Sequence, residues 1–351
     1  MTTARRILFV DLWRLGDAVA ATAGLRALRI ACPDAEIGVV AHSVSGDPLF
    51  RSTAADHRIR FDAFWTRGKT ARDKYVPWTI DYGALYRCAK MVRAFRPDAC
   101  LLFRGDPREQ AFFMSIGVPA LSDVRRYRIT VPGVRYASPL TGVPRYREYL
   151  HQVAQWSGRP ADAMPGIDGV TVPTEREGVL IHPGASWRYK QWSAQHVAAL
   201  ASAVIDRGVA VTLVGGEEDR PFIESVQQAC GAGTVAAVFP TLEELYRRIA
   251  AATAIVCNNS GALHIAEALG TPCVAITGSS DPVRWGTYRA HSRTLCKSVG
   301  LACHPCAERR CVRPQHPCVD DVSVVDVVEA LGAIGCFADA PLVPATRQVK
   351  S

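Results

Sequence analysis

Cys257-Asn258-Asn259-Ser260-Gly261-Ala262-Leu263-His264 stands between an apolar strand-like run, Ala254-Ile255-Val256, and an apolar helix-like run, Ile265 to Gly270. A small polar cluster at such a junction leaves unpaired backbone N–H groups at the start of the helix, and that end attracts phosphate. Gly261 has no side chain to hold a ligand away from the backbone. Asn259, Ser260 and Gly261 are therefore candidates for binding a phosphorylated ligand. His264, on the first turn, lies near them, although a histidine there also suits a purely structural role. A second stretch, His182-Pro183-Gly184-Ala185-Ser186, runs on to Lys190-Gln191-Trp192. Its Lys190 ammonium can neutralise charge that develops on a leaving group, and Ser186 can add a hydroxyl contact. A third, Gly215-Gly216-Glu217-Glu218, follows a strand end. There Gly216 admits close approach and Glu217 or Glu218 can accept from ribose hydroxyls, a solvated acidic loop being the competing reading.

Nearer the N-terminus, Asp17 closes the loop Asp11-Leu12-Trp13-Arg14-Leu15-Gly16-Asp17 and opens an Ala-rich helix. A carboxylate there can act as a general base or stabilise the helix start. Arg104, Asp106 and Arg108 follow the strand Ala99 to Phe103, where they suit a phosphorylated or acidic ligand or an ordinary ion-pair cluster. Cys303, Cys306, Cys311 and Cys318 fall in the pattern C-x2-C-x4-C-x6-C on a loop rich in Gly, Pro, His and Arg. Four close thiols suit tetrathiolate zinc first and iron second, in a structural role because four protein ligands leave no open position. The other eight cysteines are scattered, mostly in apolar runs, and read as core residues.

These residues need a frame. A length of 351 residues favours two domains, and 48% hydrophobic with 21% charged residues describes a globular chain. A net charge of +8 suits anionic partners. The basic residues form no interleaved aromatic-basic stripe, so nucleic acid is not expected. No apolar run approaches the length of a membrane span or a signal-peptide core, so the expected location is cytoplasmic, with peripheral contact at the inner face of an inner membrane left open. Ile7 to Val10, a helix to about Ile30, and Glu36 to Val40 make one βαβ unit. Residues 157–178 are rich in Gly, Pro and small polar residues and read as a linker. The alternation then restarts with strands at Val179 to Ile181, Val209 to Val214, Ala254 to Val256 and Cys273 to Thr277. The expected architecture is α/β: two Rossmann-like doubly wound domains facing each other across a cleft, at 1–165 and 176–335, with a tail at 336–351.

Taken together, Arg14-Leu15-Gly16-Asp17, His182 to Ser186 with Lys190 to Trp192, Gly215 to Glu218, and Asn258 to His264 with Leu269 to Pro272 and Gly278 to Pro282 resemble glycosyltransferase family 9 in order and spacing over roughly residues 5–330. The resemblance implies a GT-B fold, inversion at the sugar carbon, Asp17 as general base and a donor contact from Lys190. It implies a nucleotide-diphosphate sugar donor, ADP-heptose first, bound by the second domain. The acceptor is then a lipopolysaccharide-core or other glycan, met by the first domain through Arg104, Asp106 and Arg108. A protein or small-metabolite acceptor, or sugar-nucleotide epimerisation on the same fold, stay open. No Asp-x-Asp motif occurs, which fits a reaction without a catalytic metal. A four-Cys loop of this kind also resembles one in a subgroup known for cysteine-bound iron. One residue departs from the family: most members carry Asp where this chain has Asn259, which leaves the donor sugar open.

Overall fold

Strands buried on both faces need near-continuous branched and apolar residues, and each needs a crossover helix to reach a parallel neighbour. The central strands meet both requirements. The structure is a computed structural model that describes residues 4–66, 80–124, 131–185, 188–231, 235–306, 311, 313 and 317–337. Two compact units result, Met1–Gly169 and Val170–Ser351. Residues 338–351 of the expected tail lie outside the described residues.

In the first unit the strands are β1 (Arg6–Asp11), β2 (Glu36–Ala41), β3 (His57–Arg60), β4 (Ala99–Leu102), β5 (Leu121–Val124) and β6 (Val134–Ala137). They form one sheet in the order β3-β2-β1-β4-β5-β6, and every pairing is parallel. Phe9 stands level with Val39 on one side and Leu101 on the other. The helices are α1 (Leu15–Ala31), α2 (Asp47–Arg51), α3 (Tyr82–Phe95), α4 (Pro107–Ser115) and α5 (Arg145–Ser157). The strand order reverses between β1 and β4. Backbone at the carboxyl ends of these two strands therefore splays apart, which is where open α/β sheets place ligands. Asp17 and Arg104 follow those two strand ends. Leu8, Val10, Val40, Trp65, Leu102 and Phe113 pack the core on one side of the sheet.

The second unit repeats the plan with β7 (Val179–His182), β8 (Val211–Val214), β9 (Ala236–Val238), β10 (Ala254–Asn258), β11 (Cys273–Ile276) and β12 (Arg293–Leu295). Their order is β12-β11-β10-β7-β8-β9, again all parallel, so the reversal falls between β7 and β10. The helices are α6 (Ala194–Ile205), α7 (Arg220–Cys230), α8 (Leu242–Ala251), α9 (Gly261–Leu269), α10 (Pro282–Trp285), α11 (Pro317–Asp320) and α12 (Val324–Ala333). Local chemistry sets their ends. Thr241 with Glu244, and Ser323 with Asp326, form capping boxes at α8 and α12. Gly270, at φ 68°, ends α9 in the left-handed conformation that only glycine adopts without strain. Val179, Ile181, Trp192, Val256, Val274 and Leu331 share the core.

Two packing features in the first unit lead to measurable expectations. Helix α1 passes α5 so closely that a Cβ on Gly24 would lie 2.7 Å from the Tyr149 Cβ, an atom fixed to backbone. In an open helix Gly→Ala stabilises by about 1 kcal/mol. Here Gly24→Ala is expected to destabilise by about 1–3 kcal/mol through overpacking, read as a lower urea midpoint; a raised midpoint would show that α1 has room to spare. The second feature is Asp123 on β5, whose carboxylate accepts from Gly105 N at 2.9 Å, Gln110 Nε2 at 2.7 Å and Val124 N at 2.7 Å. Burial outweighs these bonds and pushes its pKa from 3.8 up to about 6. The folded state thus holds this proton more tightly than the unfolded chain, and the residue's contribution to stability falls as pH rises from about 4 to 6. The stability difference between Asp123→Asn and the parent should move toward the variant over that interval, by about 2 kcal/mol. Urea titrations at pH 4.5 and 6.5 test this, and a pH-independent difference would contradict it.

Candidate functional site

Strand β1 carries Asp11 to its last position, and six residues later the first turn of α1 presents Asp17; both are buried. A buried carboxylate needs a counter-charge. Strand β4 lies beside β1, so Arg104, just beyond β4, reaches Asp17: its Nη1 donates to Asp17 Oδ1 at 2.8 Å. Arg145 on α5 places its Nε 3.7 Å from the same oxygen. Arg145 is itself held by Glu148 Oε2 at 2.6 Å, the Phe103 carbonyl at 3.2 Å and the Tyr149 hydroxyl at 3.1 Å. That hydroxyl donates on to Asp11 Oδ2 at 2.6 Å. Burial, reinforced by the neighbouring Asp17 charge, raises the Asp11 pKa. The Arg104 guanidinium also stacks on Trp13, its Cζ 4.2 Å from the ring centroid, and Trp13 Nε1 donates to Glu109 Oε1 at 2.8 Å. Glu109 is fully buried, and burial, then Asp123, Asp106 and Asp11, push it well above the usual carboxylate range.

Arg104, Asp106 and Arg108 do gather at this end of the sheet, with distinct tasks. Asp106 caps α4, accepting from Arg108 N at 2.9 Å, and Arg108 returns Nε at 2.9 Å and Nη2 at 2.5 Å to the same carboxylate. Burial acts upward on Asp106, but the bonds from Arg108 outweigh it and leave the carboxyl below its usual value.

In the second unit the corresponding carboxyl-end edge is neutral and hydroxyl-rich. Asn258, at the end of β10, donates Nδ2 to the Pro183 carbonyl at 2.6 Å and accepts from Trp192 N at 3.2 Å, tying three segments together. Asn259 donates Nδ2 to the Trp285 carbonyl at 2.7 Å. Ser260 is the N-cap of α9, yet its hydroxyl makes no cap bond. The buried Oγ of Ser260, Oγ1 of Thr277, Oγ of Ser279 and Nδ1 of His182 have no hydrogen-bond partner among the described residues. All four follow or end β10, β11 and β7. Unpaired buried polar atoms cost about 1–3 kcal/mol each, so a polar ligand that pairs them gains that much. Lys190 Nζ donates to Ser280 Oγ at 2.9 Å, on the loop after β11. His264 is buried and meets Trp285 edge-on, with centroids 5.9 Å apart.

The Gly215-Gly216 turn has a different centre from the one expected. Gly216 N donates to Asp219 Oδ2 at 3.2 Å, and a Cβ on Gly184 would lie 2.4 Å from the same carboxylate. Asp219 also faces His182, Nε2 to Oδ2 4.0 Å; burial lowers the His182 pKa and raises that of Asp219. Glu217 is largely exposed and paired to Arg220 at 2.7 Å, the surface ion pair that competes with a ribose contact. Ser186 lies outside the described residues.

The cysteine loop departs from expectation. Burial, then the nearby Cys311, Cys303 and Cys306, push the Cys318 thiol up to about 11, so the four thiols are neighbours. Among the described residues, however, no group of three or more His, Cys, Asp or Glu side chains is disposed to hold a metal ion. Tetrahedral zinc needs all four sulfurs about 2.3 Å from one centre. As arranged, Cys303, Cys306, Cys311 and Cys318 do not fit the zinc or iron expected there. Among the described residues no helix is long and apolar enough to cross a membrane.

Reasoning along the sequence overlooks Trp13, Glu109, Arg145, Tyr149, Asn258 and Asp219. Arg145, Glu148 and Tyr149 stand at i, i+3 and i+4 on one helix face, a spacing that marks them as mutual neighbours. Trp13, inside the loop that ends at Asp17, is visible as an aromatic out of strand context. Glu109 carries no such signal, because an acid on a helix's first turn is ordinary.

A segment of 119 residues is 36% identical to lipooligosaccharide heptosyltransferase 2 of Haemophilus influenzae, covering 31% of this chain and 33% of that one. The chain spans about a third to a half of the length of the curated relatives it matches. Among solved structures, the ADP-heptose lipopolysaccharide heptosyltransferase II of E. coli superposes with a TM-score of 0.70 at 21% identity, over 94% of this chain and 98% of that one. E. coli heptosyltransferase WaaC with ADP-2-deoxy-2-fluoro heptose gives 0.69 at 16% identity, over 92% and 98%. Both likenesses bear out two Rossmann-like domains of the GT-B type. Residues 141–316 match the model of glycosyltransferase family 9 (heptosyltransferase), half of the chain, and the chain belongs to that family.

Proposed function

We propose that this chain is an inverting glycosyltransferase that moves a heptose from an ADP-sugar donor to a lipopolysaccharide-core or other glycan acceptor, with Asp17 as general base. The observation that carries the reading is the edge formed by the ends of β7, β10 and β11. There a helix N-terminus, unpaired buried hydroxyls and Lys190 gather without a carboxylate at the helix start. That is the chemistry a nucleotide diphosphate asks for: N–H groups, hydroxyl donors and a cation. The names of the relatives support a heptose donor and a lipopolysaccharide acceptor.

In this reading Asp17 takes the proton of the acceptor hydroxyl. The freed oxygen attacks the anomeric carbon on the face opposite the diphosphate. The bond from that carbon to the diphosphate oxygen breaks, and its electron pair leaves on ADP. Lys190 and the N-terminus of α9 meet the charge that develops there. Arg104 and Arg145 supply the counter-charge that a buried Asp17 carboxylate needs. Asn259 commits an N–H of its Nδ2 to the Trp285 carbonyl and in this reading meets the donor with its oxygen. It offers a neutral acceptor where most family members offer a carboxylate, so sugar hydroxyls are held less strongly.

Titration calorimetry and ADP release from ADP-heptose, with heptose-deficient lipopolysaccharide core as acceptor, test the assignment. ADP is expected to bind more tightly than UDP or GDP, and failure to bind any of them would refute the donor reading. Asp17→Asn should lower kcat by at least a thousandfold while ADP affinity stays within twofold; a parallel loss of affinity would make Asp17 a structural residue. Lys190→Ala should weaken ADP by about tenfold, a charge-assisted contact being worth about 1.5–3 kcal/mol, and unchanged affinity would remove Lys190 from the donor site.

A further inference from the structure

Glu109 has no part in the reading above, yet it is fully buried, and its Oε2 has no hydrogen-bond partner among the described residues. A buried carboxyl with one oxygen unused is costly, so what the other oxygen does is informative. Oε1 accepts from Trp13 Nε1 at 2.8 Å. Trp13 lies in the loop between β1 and α1, and its backbone is tied through its N–H to Asp11 Oδ1 at 3.1 Å and through its carbonyl to Ser45 Oγ at 2.6 Å. Neither tie orients the indole. The indole's face carries the Arg104 guanidinium at 4.2 Å, and Arg104 Nη1 donates to Asp17 Oδ1 at 2.8 Å while its buried Nε has no partner among the described residues. One hydrogen bond leaves a planar guanidinium free to turn about that bond, and a stacked aromatic face removes the freedom. Arg145, the other guanidinium near Asp17 among the described residues, is fixed by Glu148, Phe103 and Tyr149 without help from Trp13.

We propose that Glu109 is a positioning residue for Asp17: by holding the Trp13 indole it sets the plane on which Arg104 stacks, and through Arg104 the direction of the Asp17 carboxylate. The inference rests on the assignment of Asp17 as general base. The chain of contacts predicts which chemical property of Glu109 matters. Burial, then Asp123, Asp106 and Asp11, keep its carboxyl well above the usual range, so a neutral acceptor serves as well as a charged one. Glutamine supplies that acceptor and leucine does not.

The test uses the full chain, with the same ADP-heptose and heptose-deficient core as probes, and acrylamide quenching of tryptophan emission as a readout independent of activity. Glu109→Leu is expected to lower kcat tenfold or more with the donor KM within twofold, and to raise the quenching attributable to Trp13, taken as the difference from Trp13→Phe. Glu109→Gln should restore kcat to within threefold of the parent and return quenching to the parent value. In a Trp13→Phe background, Glu109→Leu should add less than twofold, because the link it breaks is already gone. A parental kcat in Glu109→Leu, an equal loss in Glu109→Gln, or an undiminished loss in the Trp13→Phe background would overturn the proposal. Should Glu109→Leu fail to fold, Trp13→Phe alone carries the test: a comparable kcat loss at unchanged KM supports the link, and a parental kcat breaks it. Failure of the underlying reading shows separately, as transfer activity that survives in Asp17→Asn.

Discussion

The pairing of Asp17 with Arg104 is the contact around which the carboxyl end of the first sheet is organised. Five carboxyls, those of Asp11, Asp17, Asp106, Glu109 and Asp123, are buried at the carboxyl end of one sheet. Water does not solvate them there, and charge left unpaired would empty the site of ionised acids. Among the described residues Asp17 has two guanidinium groups close to one oxygen, and Asp106 is bonded to that of Arg108. Asp11, Glu109 and Asp123 are all pushed toward their neutral forms by burial. The domain thus sorts five similar side chains into two paired with cations and three whose ionisation is disfavoured, with no difference in residue chemistry beyond one methylene. Position relative to β4, α4 and α5 does the sorting, since those elements deliver Arg104, Arg108 and Arg145.

In the proposed reading the second domain meets an opposite demand. A site for a diphosphate must supply positive potential without trapping an anion of its own. The α9 N-terminus provides backbone dipoles, and Ser260 leaves its hydroxyl uncommitted where a capping bond is the usual arrangement. Asp219 and Glu217 are acidic neighbours of this edge, but Asp219 is turned onto Gly216 N and His182, and Glu217 onto Arg220. Their charges are occupied within the second unit. Glycine at 184 matters for the same reason, because any side chain there would displace Asp219 from its partners.

Much of this frame is legible in the sequence, for identifiable reasons. Ile7 to Val10, Glu36 to Val40, Val179 to Ile181, Ala254 to Val256 and Cys273 to Thr277 all read as central strands, and central strands buried on both faces carry unbroken apolar runs. The edge strand β3, His57-Arg58-Ile59-Arg60, is mostly exposed and charged, and no hydrophobic period marks it. At the sites, the residues recognisable in sequence are those beside glycine-rich turns: Asp17, Lys190, Asn259 to Gly261. Residues that act through a neighbour are not. Arg145 and Glu109 matter because of what α5 and α4 bring beside β1, and that is a property of topology. The cysteine spacing shows the converse. Sequence places four thiols near one another, as Cys318 confirms, but proximity along a loop does not bring them to a common centre.

Asn259 shows how a single uncharged substitution can be compatible with the family's frame. Its amide donates to the Trp285 carbonyl, and so anchors the short helix α10 to the end of β10. An aspartate at this position could not make that bond, since a carboxylate and a carbonyl both accept and repel each other at 2.7 Å. The Pro282–Trp285 segment would have to move, and with it the indole that meets His264 edge-on. The substitution therefore changes two things together: the charge next to the helix N-terminus, and the placement of an aromatic wall beside it. Removing a negative charge from that N-terminus strengthens its field toward an incoming diphosphate. In the proposed donor reading, tighter hold on the diphosphate would accompany weaker hold on the sugar hydroxyls and shift recognition from the sugar toward the nucleotide.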